Sequence, residues 1–258
     1  MPGKVSFMDT ERFPQQLAGT ARFTLGLPRA FTLSPDGRRV LFLRTRGGED
    51  PASCLWLLDD AGEHLLAAPE DLTRPGEVPE AELIRRERAR ESATGIVAYS
   101  TDAALRTAVF AVDGHLWAVD IPVGIPVGIP VDPAARPAPR PVPAAGPVTD
   151  PRVDPTGARV AYVTGGALHV TGLDGGDRAL ATPGGPHVTW GLAEHVAAES
   201  MHRTRGHWWA PDGTRLLAAR ADTSSATPPG SISSPAPRPA PPRAPSSTSP
   251  RPPAPATC

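Results

Sequence analysis

Apolar residues fall in short runs along this chain, and three of those runs follow the same polar turn. The segments are Ser34-Pro-Asp-Gly-Arg-Arg-Val-Leu-Phe-Leu, Asp154-Pro-Thr-Gly-Ala-Arg-Val-Ala-Tyr-Val and Ala210-Pro-Asp-Gly-Thr-Arg-Leu-Leu-Ala-Ala. Proline sets φ near −65° at the second turn position, and glycine accepts the positive φ that closes the turn. Runs rich in Val, Leu, Phe and Tyr suit strands buried between layers. The turn prolines stand at 35, 155 and 211. A further copy is expected near 95–101, where Ser100-Thr-Asp-Ala-Ala-Leu-Arg-Thr-Ala-Val-Phe-Ala-Val repeats the pattern without its proline and glycine. The period is then about 56–60 residues, within the range of propeller repeats.

A second strand follows in three copies, at Leu55-Trp-Leu-Leu-Asp-Asp, Leu116-Trp-Ala-Val-Asp and Leu168-His-Val-Thr-Gly-Leu-Asp. The repeating unit is therefore a small antiparallel sheet, the signature of a β-propeller blade. The predicted fold is all-β, a partial propeller of about three and a half blades over residues 1–222. The blade opening at Pro211 is expected to keep one strand, Leu216-Leu-Ala-Ala-Arg. Two helical insertions interrupt the pattern. Pro79 to Glu91 is rich in helix formers with alternating charge, which by itself describes a solvated helix face. Leu192 to Arg203 sets Leu192 and Val196 on one helical face, with Glu199 a turn further on. Residues 121–147 hold nine prolines. Proline cannot donate to a strand ladder, so this segment is predicted as a loop joining the second and third blades.

Composition sharpens the boundary of the foldable part. Residues 223–258 contain 12 prolines and 8 serines, and Ile232 is their one large apolar side chain. Such a segment buries too little to offset its ordering entropy and is expected to be a disordered tail. Lys plus Arg is 26 against 27 Asp plus Glu, so no basic surface calls for a nucleic-acid or membrane partner. No run reaches the ~18 apolar residues of a membrane span. The first residues contain no apolar signal core, and a cytoplasmic location is expected. Two cysteines, Cys54 and Cys258, support neither a disulfide framework nor a structural zinc site. His202, His207 and Glu199 are too loosely spaced to predict a metal, and no cofactor is expected. Trp56, Trp117, Trp208 and Trp209 are read as blade packing.

Gly191-Leu-Ala-Glu-His-Val-Ala-Ala-Glu-Ser-Met, followed by Trp208-Trp-Ala-Pro-Asp-Gly, resembles the N-terminal β-propeller of the dipeptidyl peptidase IV family, in the prolyl oligopeptidase group of serine peptidases. Phe13-Pro-Gln-Gln-Leu, Phe23-Thr-Leu-Gly, Phe31-Thr-Leu-Ser-Pro-Asp-Gly, Arg86-Glu-Arg-Ala-Arg-Glu and Gly95-Ile-Val-Ala-Tyr look like its actinobacterial members. The resemblance spans roughly residues 12–222. It implies a propeller that caps an α/β-hydrolase and holds the amino terminus of a peptide about to lose an N-terminal dipeptide. By that likeness Glu199 matches the first glutamate of a paired motif, and Ser200 stands where the second is expected. Among Arg86, Arg88 and Arg90, Arg90 fits best as the arginine that contacts a substrate carbonyl.

The catalytic half of such an enzyme is not visible. No Gly-x-Ser-x-Gly pentapeptide, the strained turn that exposes a hydrolase nucleophile, occurs in the sequence. No catalytic residue is assigned, and any cleavage would need a separate chain carrying the hydrolase. The Pro/Ser/Ala/Arg tail has the composition of GC-rich DNA read out of frame, so a truncated or frameshifted product is expected, with a genuine disordered tail as the other reading. A non-catalytic propeller scaffold for protein interaction also fits the repeats.

Overall fold

The computed structural model describes residues 12–72, 76–123 and 137–224. Its first sheet comprises β1 (Arg29–Leu33), β2 (Val40–Thr45), β3 (Ala52–Asp59) and β4 (Gly62–Ala67), with β5 (Thr94–Gly95) added parallel to β3. A second antiparallel sheet holds β6 (Ser100–Thr101), β7 (Thr107–Val112), β8 (His115–Asp120) and β9 (Arg140–Pro141). The third holds β10 (Thr149–Val153), β11 (Arg159–Thr164), β12 (Ala167–Gly172) and β13 (Gly175–Ala181). Beyond it β14 (Val188–Trp190) pairs with β17 (Arg220–Asp222), and β15 (His207–Trp209) pairs with β16 (Leu216–Ala218). Three short helices accompany the sheets: α1 (Phe13–Gly19), α2 (Glu80–Arg88) and α3 (His195–Ser200). None of the described helices is long and apolar enough to cross a membrane. The architecture is all-β and propeller-like, as the repeats predict.

The period-2 alternation of side chains explains why the inner strands are apolar throughout. Along β7, Ala108, Phe110 and Val112 join a core with Leu41, Leu43, Leu55 and Leu57 of the first sheet. Val109, between them, faces the other way and packs with Val153, Val160 and Tyr162 of the third sheet. On β11, Ala161 and Val163 turn toward Trp190, Trp209 and Leu216. β7 and β11 thus supply two cores each, so both of their faces are largely apolar.

The turns carry a second periodicity that ties neighbouring sheets together. Glycines 37, 157 and 213 take φ of 70°, 80° and 68°. In the second sheet the same turn runs over Asp102-Ala-Ala-Leu105, and Leu105 occupies the glycine position at φ 53°. An L-residue there is strained by about 1–2 kcal/mol. Leu105 is nevertheless buried in the core between the first and second sheets, which offsets that cost. An arginine then reaches from each turn to the next. Arg39 donates to the carbonyls of Leu105 at 3.0 Å and Ala104 at 3.3 Å. Arg106 donates to the Thr156 carbonyl at 3.2 Å, and Arg159 to the Gly213 carbonyl at 2.6 Å. Arg215 holds the corresponding place in the last turn. It is exposed, and its partner among the described residues is Asp212 of the same turn, 3.9 Å away.

Four expectations need correction. The turn copy lacking proline centres on Ala103, so the spacing is uneven, the stretch that holds α2 lengthening the first interval. The proline-rich segment does run from the second sheet to the third, but it is not all loop. Within it, Arg140–Pro141 forms the outermost strand, where a proline without an N–H is tolerated. Residues 124–136 of that segment lie outside the described residues. The run after Pro211 divides into β16 and β17, which have different partners. Finally, α3 is shorter than the predicted 192–203 because the Glu194 carboxylate caps the amides of Val196 and Ala197. Leu192 therefore packs into the third core before the helix starts, while Val196 is exposed. Thr223 still belongs to the fold, its amide donating to the His187 carbonyl at 3.0 Å. The rest of the predicted disordered tail, from residue 225 on, lies outside the described residues.

Candidate functional site

Two helical excursions, α2 and α3, bring the expected binding residues to the surface. Glu80 and Glu82 lie in the first turn of α2 and Arg85, Arg86 and Arg88 in its last, the charge order that complements a helix dipole. Not all of this charge is solvated. Glu82 is buried and accepts from Arg85 Nε at 2.6 Å, Arg85 Nη2 at 2.7 Å and Arg86 Nε at 2.9 Å. Burial pushes its carboxyl up, but the bonds and charges of Arg85 and Arg86 outweigh that and hold it below the usual range. Arg88 points the other way and meets α3.

On α3 the anchor is Ala197, fully buried, and Glu199 stands outward. Glu199 Oε1 lies 3.6 Å from Arg88 Nε and 3.3 Å from His195 Nδ1. Its Oε2 makes no hydrogen bond among the described residues. Ser200 is exposed beside it at the helix end. Arg90 lies past the end of α2 in the left-handed region, φ 52°, exposed and without an ion pair among the described residues. The arginine that the fold brings to Glu199 is thus Arg88, two residues before Arg90.

The innermost strands carry further charge. β1 and β10 share a bulge, which places Ala30 and Asp150 at φ 55° and 48° and re-aims the residues beside them. Arg29 pairs with Glu91 at 2.7 Å, and Arg152 with Asp150 at 2.5 Å. Tyr99 ties the first sheet to the second by donating to the Leu41 carbonyl at 2.9 Å. The Trp209 indole N–H ties the fourth to the third through the Arg152 carbonyl, also at 2.9 Å. Tyr99 and Trp209 stand in motifs of the sequence, but their partners gave no sequence signal, because strands far apart in the chain bring them together.

The half-buried histidines His64 and His169 serve structure. His169 Nδ1 and the Tyr162 hydroxyl share Asp177, at 3.0 and 2.5 Å, and burial followed by that carboxylate drives the phenol pKa upward. His64 Nε2 lies 3.0 Å from Asp59. Neither pair has a serine in hydrogen-bond contact. Among the described residues no three His, Cys, Asp or Glu side chains converge to hold a metal.

A family model for the dipeptidyl peptidase IV (DPP IV) N-terminal region matches residues 113–248. The match leaves out the opening motifs and Arg90, and it runs past residue 222, where the sequence resemblance was expected to stop. It takes in the whole third sheet, both pairs of strands beyond it, Glu199, Ser200 and the Trp208–Gly213 turn. Through the part that carries α3 and the last repeat, the chain belongs to the family of dipeptidyl peptidase IV N-terminal regions.

Proposed function

We propose that this chain is the substrate-selecting propeller part of a DPP IV-type serine peptidase, acting in the release of N-terminal dipeptides. In this reading Glu199 and Ser200 receive the free amino terminus of the peptide. Arg90 reaches a substrate carbonyl, and cleavage itself is the work of a hydrolase that carries its own nucleophile. The observation that carries the reading is Glu199: an outward carboxylate on α3, oriented through Oε1 by Arg88 and His195, with Oε2 open to a ligand. An ammonium about 4 Å away gains on the order of 4 kcal/mol at an effective dielectric of about 20, before desolvation. The positive charge of Arg88 subtracts from that gain. A serine in place of a second carboxylate keeps an acceptor but removes a charge, so selection for a free amine is weaker here than with two acids. A cytoplasmic location belongs to the same proposal, in keeping with Cys54, a buried free thiol.

Calorimetry with Gly-Pro and N-acetyl-Gly-Pro tests the amine site directly. Gly-Pro is expected to bind more tightly than the acetylated peptide, and Glu199→Gln to abolish the difference. Equal affinity for both peptides in the unmodified chain would overturn the assignment. Hydrolysis of a Gly-Pro chromogenic substrate by this chain alone would overturn the division of labour.

A further inference from the structure

A cavity of about 350 Å³ opens between the inner strands, lined by Tyr99, Ser100, Arg152, Arg205, His207 and the Trp208–Trp209 pair among others. Unmet polar valence collects on its lining residues Arg152 and His207 and on Asp150, the ion-pair partner of Arg152. Five buried side-chain polar atoms lack a partner among the described residues, and three of them lie on Asp150, Arg152 and His207. Arg152 spends Nη2 on Asp150 at 2.5 Å, which leaves its buried Nε without an acceptor. His207 is almost fully buried and donates Nδ1–H to the Gly191 carbonyl, 2.9 Å away, while Nε2 has no partner. The Arg205 guanidinium has no acceptor among the described residues. The charge of Arg152, then burial, lowers its proton affinity, and Asp150 only partly compensates. Ser100 Oγ accepts from the Val153 amide at 3.3 Å and keeps its own proton to donate. Two arginines and one carboxylate leave a net positive charge at a cavity that also offers indole walls.

A buried guanidinium nitrogen without an acceptor, as on Arg152, costs stability unless an anion supplies one; Arg205 is exposed and free to turn toward a ligand, and planar guanidinium matches a carboxylate in two parallel bonds. The volume and mixed apolar lining are those of a small-molecule site. We propose that this cavity binds a small organic carboxylate, with the oxyanion between Arg205 and Arg152 and the apolar body against Trp208 and Trp209. Ser100 donates to the same oxyanion. The site is independent of the amine-anchoring role of Glu199 and stands or falls separately from it.

The test is titration of the full chain with hippurate, an aromatic carboxylate, followed by tryptophan fluorescence and calorimetry. Its neutral amide, hippuramide, and inorganic phosphate serve as comparison probes. Hippurate is expected to bind at least about tenfold more tightly than hippuramide, since only the former makes charge-assisted bonds. Arg205→Ala is expected to remove that advantage while leaving the thermal midpoint in place, because the side chain has no partner to lose. Arg215→Ala, which alters an exposed arginine of the same region, should leave hippurate binding unchanged. Equal affinity for hippurate and hippuramide overturns the proposal, as does undiminished hippurate binding by Arg205→Ala. Binding of phosphate but not hippurate overturns the ligand class.

Discussion

Removing the Arg39 side chain should weaken the joint between the first two sheets and little else. Its guanidinium donates to the Leu105 carbonyl at 3.0 Å and, more weakly, to those of Ala104 and Pro122 at 3.3 Å each. A hydrogen bond from a charged donor contributes about 1.5–3 kcal/mol. Two of these three are long, and water can replace part of the loss at a partly buried site. The expected cost of Arg39→Ala is therefore about 2 kcal/mol, a large share of the roughly 5–15 kcal/mol that holds a typical domain together. In urea, with a slope of about 2–3 kcal/mol/M, the midpoint should fall by a little under 1 M. Circular dichroism and tryptophan fluorescence must give coincident transitions for that figure to be read as a free energy. Arg38→Ala is the control: its guanidinium is exposed and pairs with Asp60 within the same sheet, so the midpoint should not move. Arg39→Lys should recover less than half of the loss, because one ammonium cannot span three carbonyls. Equal shifts for Arg38→Ala and Arg39→Ala would refute the link between sheets.

Two further outcomes follow from the turn that lacks glycine. Leu105→Ala keeps the positive φ and loses the buried side chain, whereas Leu105→Gly loses the side chain but relieves the strain. Calorimetric melts should show both destabilised and the glycine variant more stable than alanine by about 1 kcal/mol; the reverse order would remove the strain argument. Asp102 in the same turn is buried and accepts from the amides of Arg106 at 2.6 Å and Thr107 at 2.9 Å. Burial raises its pKa, but those bonds and the Arg106 charge prevail and depress it. A depressed folded pKa gives stability that is present above the unfolded value near 3.9 and lost as pH falls through the folded one. Asp102→Asn should thus be destabilised at pH 7, and its gap to the unmodified chain should begin to narrow below about pH 4 and go on narrowing as the pH falls. A gap of constant size from about pH 7 to about pH 2 would contradict this.

Sequence patterns revealed the elements whose causes are local. Three turns were legible because proline and glycine impose their dihedrals whatever surrounds them, and their closing bonds are present, as in the Gly37 amide donating to the Ser34 carbonyl. The copy at Asp102–Leu105 was misplaced because its left-handed residue is a leucine, held there by burial rather than by intrinsic preference. The end of α3 depended on a capping carboxylate at Glu194, which a hydrophobic face through Leu192 and Val196 concealed. The apolar pattern does not mark β4 and β13, since these outermost strands carry exposed residues and weaker apolar runs.

The site divides in the same way. Glu199 and Ser200 were singled out by a contiguous motif on one helix, and family likeness through that motif does not require a contact. Which arginine reaches Glu199 depends on how two excursions from different repeats approach each other, and packing selected Arg88. The cavity between Arg152, Arg205 and His207 left no trace along the chain. Local sequence determined that this is a repeating all-β protein with turns of one kind, because turn geometry and side-chain alternation act over a few residues. Only the tertiary structure decided which charges meet and which stay unpaired, because electrostatic partners are set by distance in space, and the sheets bring together residues tens of positions apart.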